Sequence, residues 1–220
     1  MLNTQFKIYS DNLIKWNEVM NLTAITDEGE IEKLHFLDSL ALLDYCDFKD
    51  KRVIDVGTGA GFPGLALRVA EPGMKLTLLD SLDKRIGFLK DTCDKLGISD
   101  VDCVHARAEE IPEGFRESFD IAVSRAVARL NVLAEMCLPY VREGGLFLAM
   151  KGPEFDEELE EAKPAIKALG GKCEKCVTYE IPGTEIRHSI LMIRKLSVTP
   201  EKYPRRWAQI KKSPLGAKNG

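Results

Sequence analysis

The residues that could carry chemistry cluster in one stretch, Asp55-Val56-Gly57-Thr58-Gly59-Ala60-Gly61-Phe62-Pro63-Gly64. Gly57, Gly59 and Gly61 lack a Cβ, so the turn can be tight and a ligand can lie against bare main chain. Asp55 stands two residues before them. A carboxylate there would repel a pyrophosphate and attract a cationic group. The second candidate is Asp80, 23 residues beyond Gly57, followed by Ser81. A strand-end acid at that distance can accept both hydroxyls of a ribose. Gly59 to Gly64 also fits the dinucleotide pattern G-x-G-x-x-G, which is weak by itself. Asp55 separates the two readings, and it favours a nucleoside whose far end is a cation.

These residues need a rigid frame. Val53, Ile54 and Val56 form the apolar, β-branched run of a central parallel strand. Pro63 fits the first turn of a helix, whose free N–H groups face whatever sits over the loop. Strands are then expected at 75–80, 101–105, 119–125 and 146–150, with helices at 83–96 and 130–141 between them. Gly97 closes the first of these helices. The alternation predicts an α/β fold with a mostly parallel sheet. The fourth strand should lie beside the first, at the switch point where ligands bind. That places Arg125 and Arg129 at the mouth of the site. Strands at 172–181 and 188–196, joined through Pro182-Gly183, predict a closing antiparallel hairpin. Residues 154–169 read as a helix with a solvated acidic face, which Pro164 should kink or interrupt.

The first fifty residues read as helices. Phe6, Tyr9, Leu13, Trp16 and Met20 recur at spacings of three and four. Two further helices, at 28–33 and 35–45, complete a cap over the C-terminal edge of the sheet. His35 and Asp38 lie one turn apart and read as a pair on the helix surface. The organisation expected is a helical extension at 1–50, a core domain at 51–198 and a tail at 199–220.

The chain has 220 residues, enough for one large domain with a sizeable core. No apolar run reaches the length of a membrane span and no signal peptide is evident, so a cytoplasmic location is expected. The six cysteines read as reduced. Cys173 and Cys176 form a CxxC without the second pair that a zinc site requires, so no metal is expected. Residues 202–220 hold six cations and no acid on a chain of net charge −4. A basic tail on an acidic body suggests a local nucleic-acid contact, or a solvated terminus.

The loop Asp55-x-Gly57-x-Gly59-x-Gly61 resembles the first motif of S-adenosylmethionine (SAM) methyltransferases, which typically end in such a hairpin. Beyond it, the sequence resembles the RsmG (GidB) family of small-subunit rRNA guanine-N7 methyltransferases. The resemblance rests on Trp16-Asn17…Asn21-Leu22-Thr23-Ala24, His35-Phe36-Leu37-Asp38-Ser39-Leu40, Val56 to Gly64, and Leu79-Asp80-Ser81-Leu82-Asp83-Lys84-Arg85. It continues with Ser124-Arg125-Ala126, Lys151-Gly152 and Thr199 to Arg206. It implies a Rossmann-like methyltransferase fold with a seven-stranded sheet and SAM as methyl donor. The acceptor would be a guanine N7 in a loop of 16S rRNA, free or in the 30S particle, met by a monomer.

By the same resemblance, Asp55, Gly57, Gly59, Gly61, Phe62, Asp80, Ser81, Leu82, Ala108, Glu109 and Arg125 would line the SAM site. Lys84, Arg85, Arg107, Arg129, Lys151, Arg187, Arg205 and Arg206 would face RNA. Arg125, Lys84 and Arg107 would serve catalysis. Guanine N7 has no proton to lose, so no general base is required, in keeping with the lack of an obvious carboxylate–His pair. The tail departs from the family at Trp207-Ala208-Gln209-Ile210. The alternatives are a non-catalytic SAM-binding assembly factor, a small-molecule methyltransferase and an NAD-dependent oxidoreductase.

Overall fold

β1 (Arg52–Val56) lies near the middle of a seven-stranded sheet, between β2 (Lys75–Asp80) and β4 (Phe119–Arg125), and runs parallel to both. The computed structural model describes residues 3–125 and 128–216. Ala126 of the Ser-Arg-Ala motif and Lys218 of the tail lie outside the described residues. β3 (Asp102–His105) flanks β2, and β5 (Val141–Lys151) flanks β4, both parallel. β7 (Arg187–Lys195) and β6 (Gly171–Glu180) close the other side as an antiparallel hairpin. The order is β3-β2-β1-β4-β5-β7-β6. The chain winds outward from β1 to β3, then returns to the far side of β1, which opens a crevice at the C-terminal ends of β1 and β4.

Alternate residues of β1 feed two cores, as a strand covered on both faces requires. Val53 packs with Tyr9, Phe36, Phe62 and Phe88, beneath the cap and the helices α4 (Gly64–Ala70) and α5 (Asp83–Leu96). Ile54 and Val56 pack with Leu133, Tyr140 and Ile166, beneath α6 (Leu130–Cys137) and α7 (Asp156–Ala168).

The cap begins with α1 (Thr4–Asn17), whose first turn is capped by the Asn3 side chain accepting from the Gln5 and Phe6 amides. Where two further helices were expected, one continuous helical path runs: α2 (Glu28–Ile31), a π-helical turn (Glu32–Leu37), α3 (Asp38–Leu40) and a 3₁₀ turn (Ala41–Asp44). The π turn contains His35. Two other boundaries differ. α6 stops at Cys137, because Pro139 cannot continue it and a 3₁₀ turn (Leu138–Tyr140) follows. β5 begins at Val141 rather than 146, with a register shift opposite Phe119 and Ile121. α7 passes through Pro164 unbroken, and Ala162, Ala165 and Ile166 bury its inner face. Cys173 and Cys176 have their sulfurs 3.5 Å apart on β6. No helix among the described residues is long and apolar enough to cross a membrane.

Candidate active site

A cleft of about 450 Å³ opens over the ends of β1 and β2, lined by Gly57, Leu79, Asp80, Ser81, Arg85, Arg107, Ala108, Glu109 and Arg125, with Ala106, Met136 and Trp207. Gly57 forms part of its floor at φ 73°, a backbone conformation that costs a side-chain-bearing residue strain. Its amide donates to the Leu79 carbonyl at 2.8 Å, which ties the loop to β2. Asp80 is 2% exposed and ties the loop to α5. Oδ2 accepts from the Gly59 amide at 2.9 Å and from Arg85 at 3.3 Å, and Oδ1 accepts from the Leu82 amide at 2.9 Å. Leu82 is itself exposed and serves through that amide.

The other two loop glycines and Phe62 do not line this cleft. Gly61, at φ 90°, faces the cap, and a Cβ there would collide with the Tyr9 hydroxyl. Tyr9 donates to the Ala60 carbonyl at 2.5 Å. Phe62, 5% exposed, is sandwiched between Tyr9, with centroids 5.3 Å apart and planes 7° apart, and His35, 4.6 Å and 21°. It therefore locks the glycine loop to the cap; the residue type alone allowed core packing or a ligand contact, and only the family resemblance placed it in the SAM site.

Asp55 also needs correction. It is fully buried beneath the loop, with Oδ2 accepting from Thr58 Oγ1 at 2.7 Å and from the Gly64 amide at 2.8 Å. Oδ1 has no hydrogen-bond partner among the described residues. Burial pushes this carboxyl up to about 6, against the pull of those two hydrogen bonds. Asp55 shapes the loop rather than lining the cleft.

Arg125 ends β4 and organises a second cavity. Nη1 donates to Asp38 Oδ2 at 2.8 Å and to the Leu34 carbonyl at 3.1 Å, and Nη2 lies 3.2 Å from His35 Nδ1. Its guanidinium carbon stands 5.1 Å from the Phe62 ring centroid. Asp38 is fully buried. Its Oδ1 accepts from the Tyr179 hydroxyl at 2.6 Å and meets His188 Nδ1 at 2.8 Å. Burial would raise the Asp38 carboxyl, but His188, Arg125 and Tyr179 together hold it below the ordinary carboxylate range. His35 is lowered to about 4, by burial first and by the Arg125 charge second.

Leu34, His35, Asp38, Arg125 and His188, with Lys151, Glu158 and Ile186, line a cavity of about 630 Å³. Arg125 is common to both cavities. His35 and Asp38, read from sequence as a surface pair, are thus the centre of a buried network, and a carboxylate–His pair exists after all. The available signal was Asp38 itself, a charge inside an otherwise apolar helical run.

The model of the rRNA small subunit methyltransferase G (GidB) family matches residues 2–189. A protein of that name from Alkaliphilus oremlandii is 50% identical over 210 residues, covering 94% of this chain and 88% of its own. The chain belongs to the rRNA small subunit methyltransferase G family. It is a SAM-dependent methyltransferase of small-subunit rRNA.

Solved structures share the fold at low identity. A predicted O-methyltransferase of Agrobacterium tumefaciens is 18% identical with TM-score 0.57, over 74% of this chain and 80% of that one. Geranyl diphosphate C-methyltransferase of Streptomyces coelicolor, solved with S-adenosyl-L-homocysteine, is 10% identical with TM-score 0.56, over 72% and 78%.

The cleft suits the donor this family uses. The strand-end carboxylate of Asp80 stands beside Ser81 at one part of the lining, and Leu79, Ala106, Ala108 and Met136 give an apolar wall suited to a base. Among the family-implied RNA contacts, Lys84, Arg187 and Arg206 are exposed. Arg107 is half-exposed and bonds Glu109 at 2.6 Å. Arg129 pairs with Glu161. Lys151 is spent internally, on Glu158 and the Ala128 carbonyl, both at 2.6 Å. Arg205 grips the buried Glu135 through its amide, Nε and Nη2 at 2.9, 2.8 and 2.6 Å. In this methyltransferase, then, Arg205 anchors the tail. Met136 and Trp207 join the cleft and His188 the second cavity without a sequence cue, and Tyr179 supports that cavity from behind through Asp38.

Proposed function

We propose that the methyl goes to N7 of a guanine in an unpaired segment of small-subunit rRNA, and that this base enters the second cavity. The observation that carries the reading is the shared wall: Arg125 lines both the cleft and the second cavity. A base seated beyond Arg125 meets the open end of the nucleoside site. SAM, when bound, supplies a methyl on a sulfonium sulfur.

The groups around the second cavity suit an acceptor that arrives with its lone pair ready. Both Asp38 oxygens are engaged and its carboxyl is held low. Both His35 ring nitrogens are engaged, Nε2 with Thr23 Oγ1 at 2.8 Å, and its pKa is near 4. Neither takes up a proton near neutrality. Guanine N7 asks for none, so the residues contribute by placement: they hold the base in line with the methyl and keep water out. An unpaired segment makes extrusion of the base cheap. Lys84, Arg187 and Arg206, exposed around the openings, serve the phosphates.

One observation favours a second reading. His188 is 32% exposed at its side chain and rests Nδ1 on Asp38, so Nε2 is available as a base for an acceptor that must lose a proton. The pH profile of methyl transfer to 30S particles separates the two. The N7 reading expects His188→Gln to leave the shape of the profile unchanged. A limb that vanishes with His188 supports the second.

A further inference from the structure

The C-terminal segment reaches the cofactor cleft, and its purpose there is unassigned. Trp207 opens α8 (Trp207–Lys212) and contributes to the cleft lining beside Arg107, Ala108 and Met136. It is 37% exposed, and it is the sole aromatic among the exposed large apolar side chains of the described residues. An indole left at a cleft wall in water offers a flat apolar face for a planar ligand.

Its position is fixed, not frayed. Arg116 donates to the Tyr203, Thr199 and Pro200 carbonyls at 2.9, 2.9 and 3.3 Å, which pins the chain entering the segment. Arg205 clamps Glu135, the neighbour of the cleft residue Met136 on α6. Ile210 is fully buried in the second core, one turn beyond Trp207. The Arg107 guanidinium carbon lies 6.0 Å from the indole centroid, while its Nε holds Glu109 at 2.6 Å.

We infer that Trp207 is the wall that covers the adenine of SAM, so that the C-terminal segment completes the cofactor site. The lining sorts accordingly. Asp80 and Ser81 offer oxygens for the ribose, and Ala106, Ala108, Met136 and Trp207 offer the apolar surface for the purine. Stacking of a base on an aromatic side chain is sequence-tolerant and strong enough to set affinity. The basic residues Arg206, Lys211 and Lys212 flank Trp207 on the same short segment, so the piece of chain that covers the nucleoside also presents cations to the outside.

The test uses the full chain and the product S-adenosylhomocysteine, which binds without reacting. The protein has two tryptophans. Trp16 donates to Asp91 and packs on Phe88, among the α1 and α5 contacts, so W16F leaves Trp207 as the lone reporter. Saturating S-adenosylhomocysteine should change its emission, and adenosine should do the same while methionine does not.

By calorimetry, W207A should weaken S-adenosylhomocysteine and adenosine about ten-fold or more, and W207F should recover most of the loss. The thermal midpoint of ligand-free W207A should match the parent, which distinguishes a ligand wall from a structural prop. The inference is overturned if W207A binds S-adenosylhomocysteine within two-fold of the parent, if Trp207 emission ignores the ligand, or if W207F fails to rescue.

Discussion

Arg125 Nη1 donates to Asp38 Oδ2 at 2.8 Å, joining the end of β4 to the helical cap across 87 positions of sequence. The pair is 14% and 0% exposed at its side chains, so Asp38 has no water to fall back on. Arg125→Ala would leave Asp38 with Tyr179 and His188 alone, a loss of about 1.5–3 kcal/mol for one charged hydrogen bond. The variant should still bind S-adenosylhomocysteine within a few-fold of the parent, because Arg125 is one wall of that cleft among many. Methyl transfer should fall about 100-fold or more, because the acceptor cavity loses its shape. Arg125→Lys keeps the charge and loses the fork, so it should regain stability but little activity. Denaturation, ligand titration and turnover on 30S particles read the three effects separately. A collapse of cofactor affinity with turnover otherwise intact would contradict the role given to Arg125.

Asp55 predicts a pH signature. Its folded carboxyl sits near 6, above the ordinary 3.8, so its contribution to stability is present at low pH and is lost as pH rises through 6. His35 runs the other way in an overlapping window. Its folded value near 4 lies below the ordinary 6.5, so its contribution is present above 6.5 and is lost as pH falls toward 4. The two partly cancel in the native protein, and the informative quantity is a difference. Relative to the parent, Asp55→Asn should gain up to about 3 kcal/mol more at pH 7.5 than at pH 4, from a shift of roughly two units. Urea unfolding of both proteins at both pH values measures it. An equal difference at the two pH values would contradict the burial argument.

Adjacent arginines in the tail should behave oppositely. Arg205 holds the fully buried Glu135, so Arg205→Ala should cost about 3 kcal/mol or more of stability. Arg206 is exposed, so Arg206→Ala should leave stability unchanged and weaken rRNA binding, reducing the slope of affinity on salt by about one. Thermal melts and filter binding at two salt concentrations distinguish them. Equal stability losses would contradict the assignment.

Much of this architecture was legible in the sequence because it rests on local pattern. The Val53–Val56 run, the glycines after it and the acid ending Leu78-Leu79-Asp80 announce a strand, a loop and a strand whatever packs around them. What was hidden depended on distance. Asp38 meets Arg125, Tyr179 and His188 from 87, 141 and 150 positions away, and no spacing rule connects them. The glycines were read as one set, yet Gly57 faces the cleft and Gly61 faces Tyr9, because only tertiary packing decides which side of a loop is covered. Arg205 and Arg206 are the same residue type side by side, and only the buried Glu135 separates an anchor from a surface charge. Asp55 was read as part of the ligand site, but a strand end buried on both faces turned its carboxylate beneath the loop.

The most direct test is methyl transfer from radiolabelled SAM to small-subunit rRNA lacking the modification, offered both free and as 30S particles, followed by digestion to nucleosides. The label should appear in 7-methylguanosine alone, and it should be lost from the same position in reactions with Arg125→Ala. Label in any other nucleoside, or in 7-methylguanosine at undiminished rate with that variant, would contradict a guanine N7 placed by the Arg125–Asp38 wall.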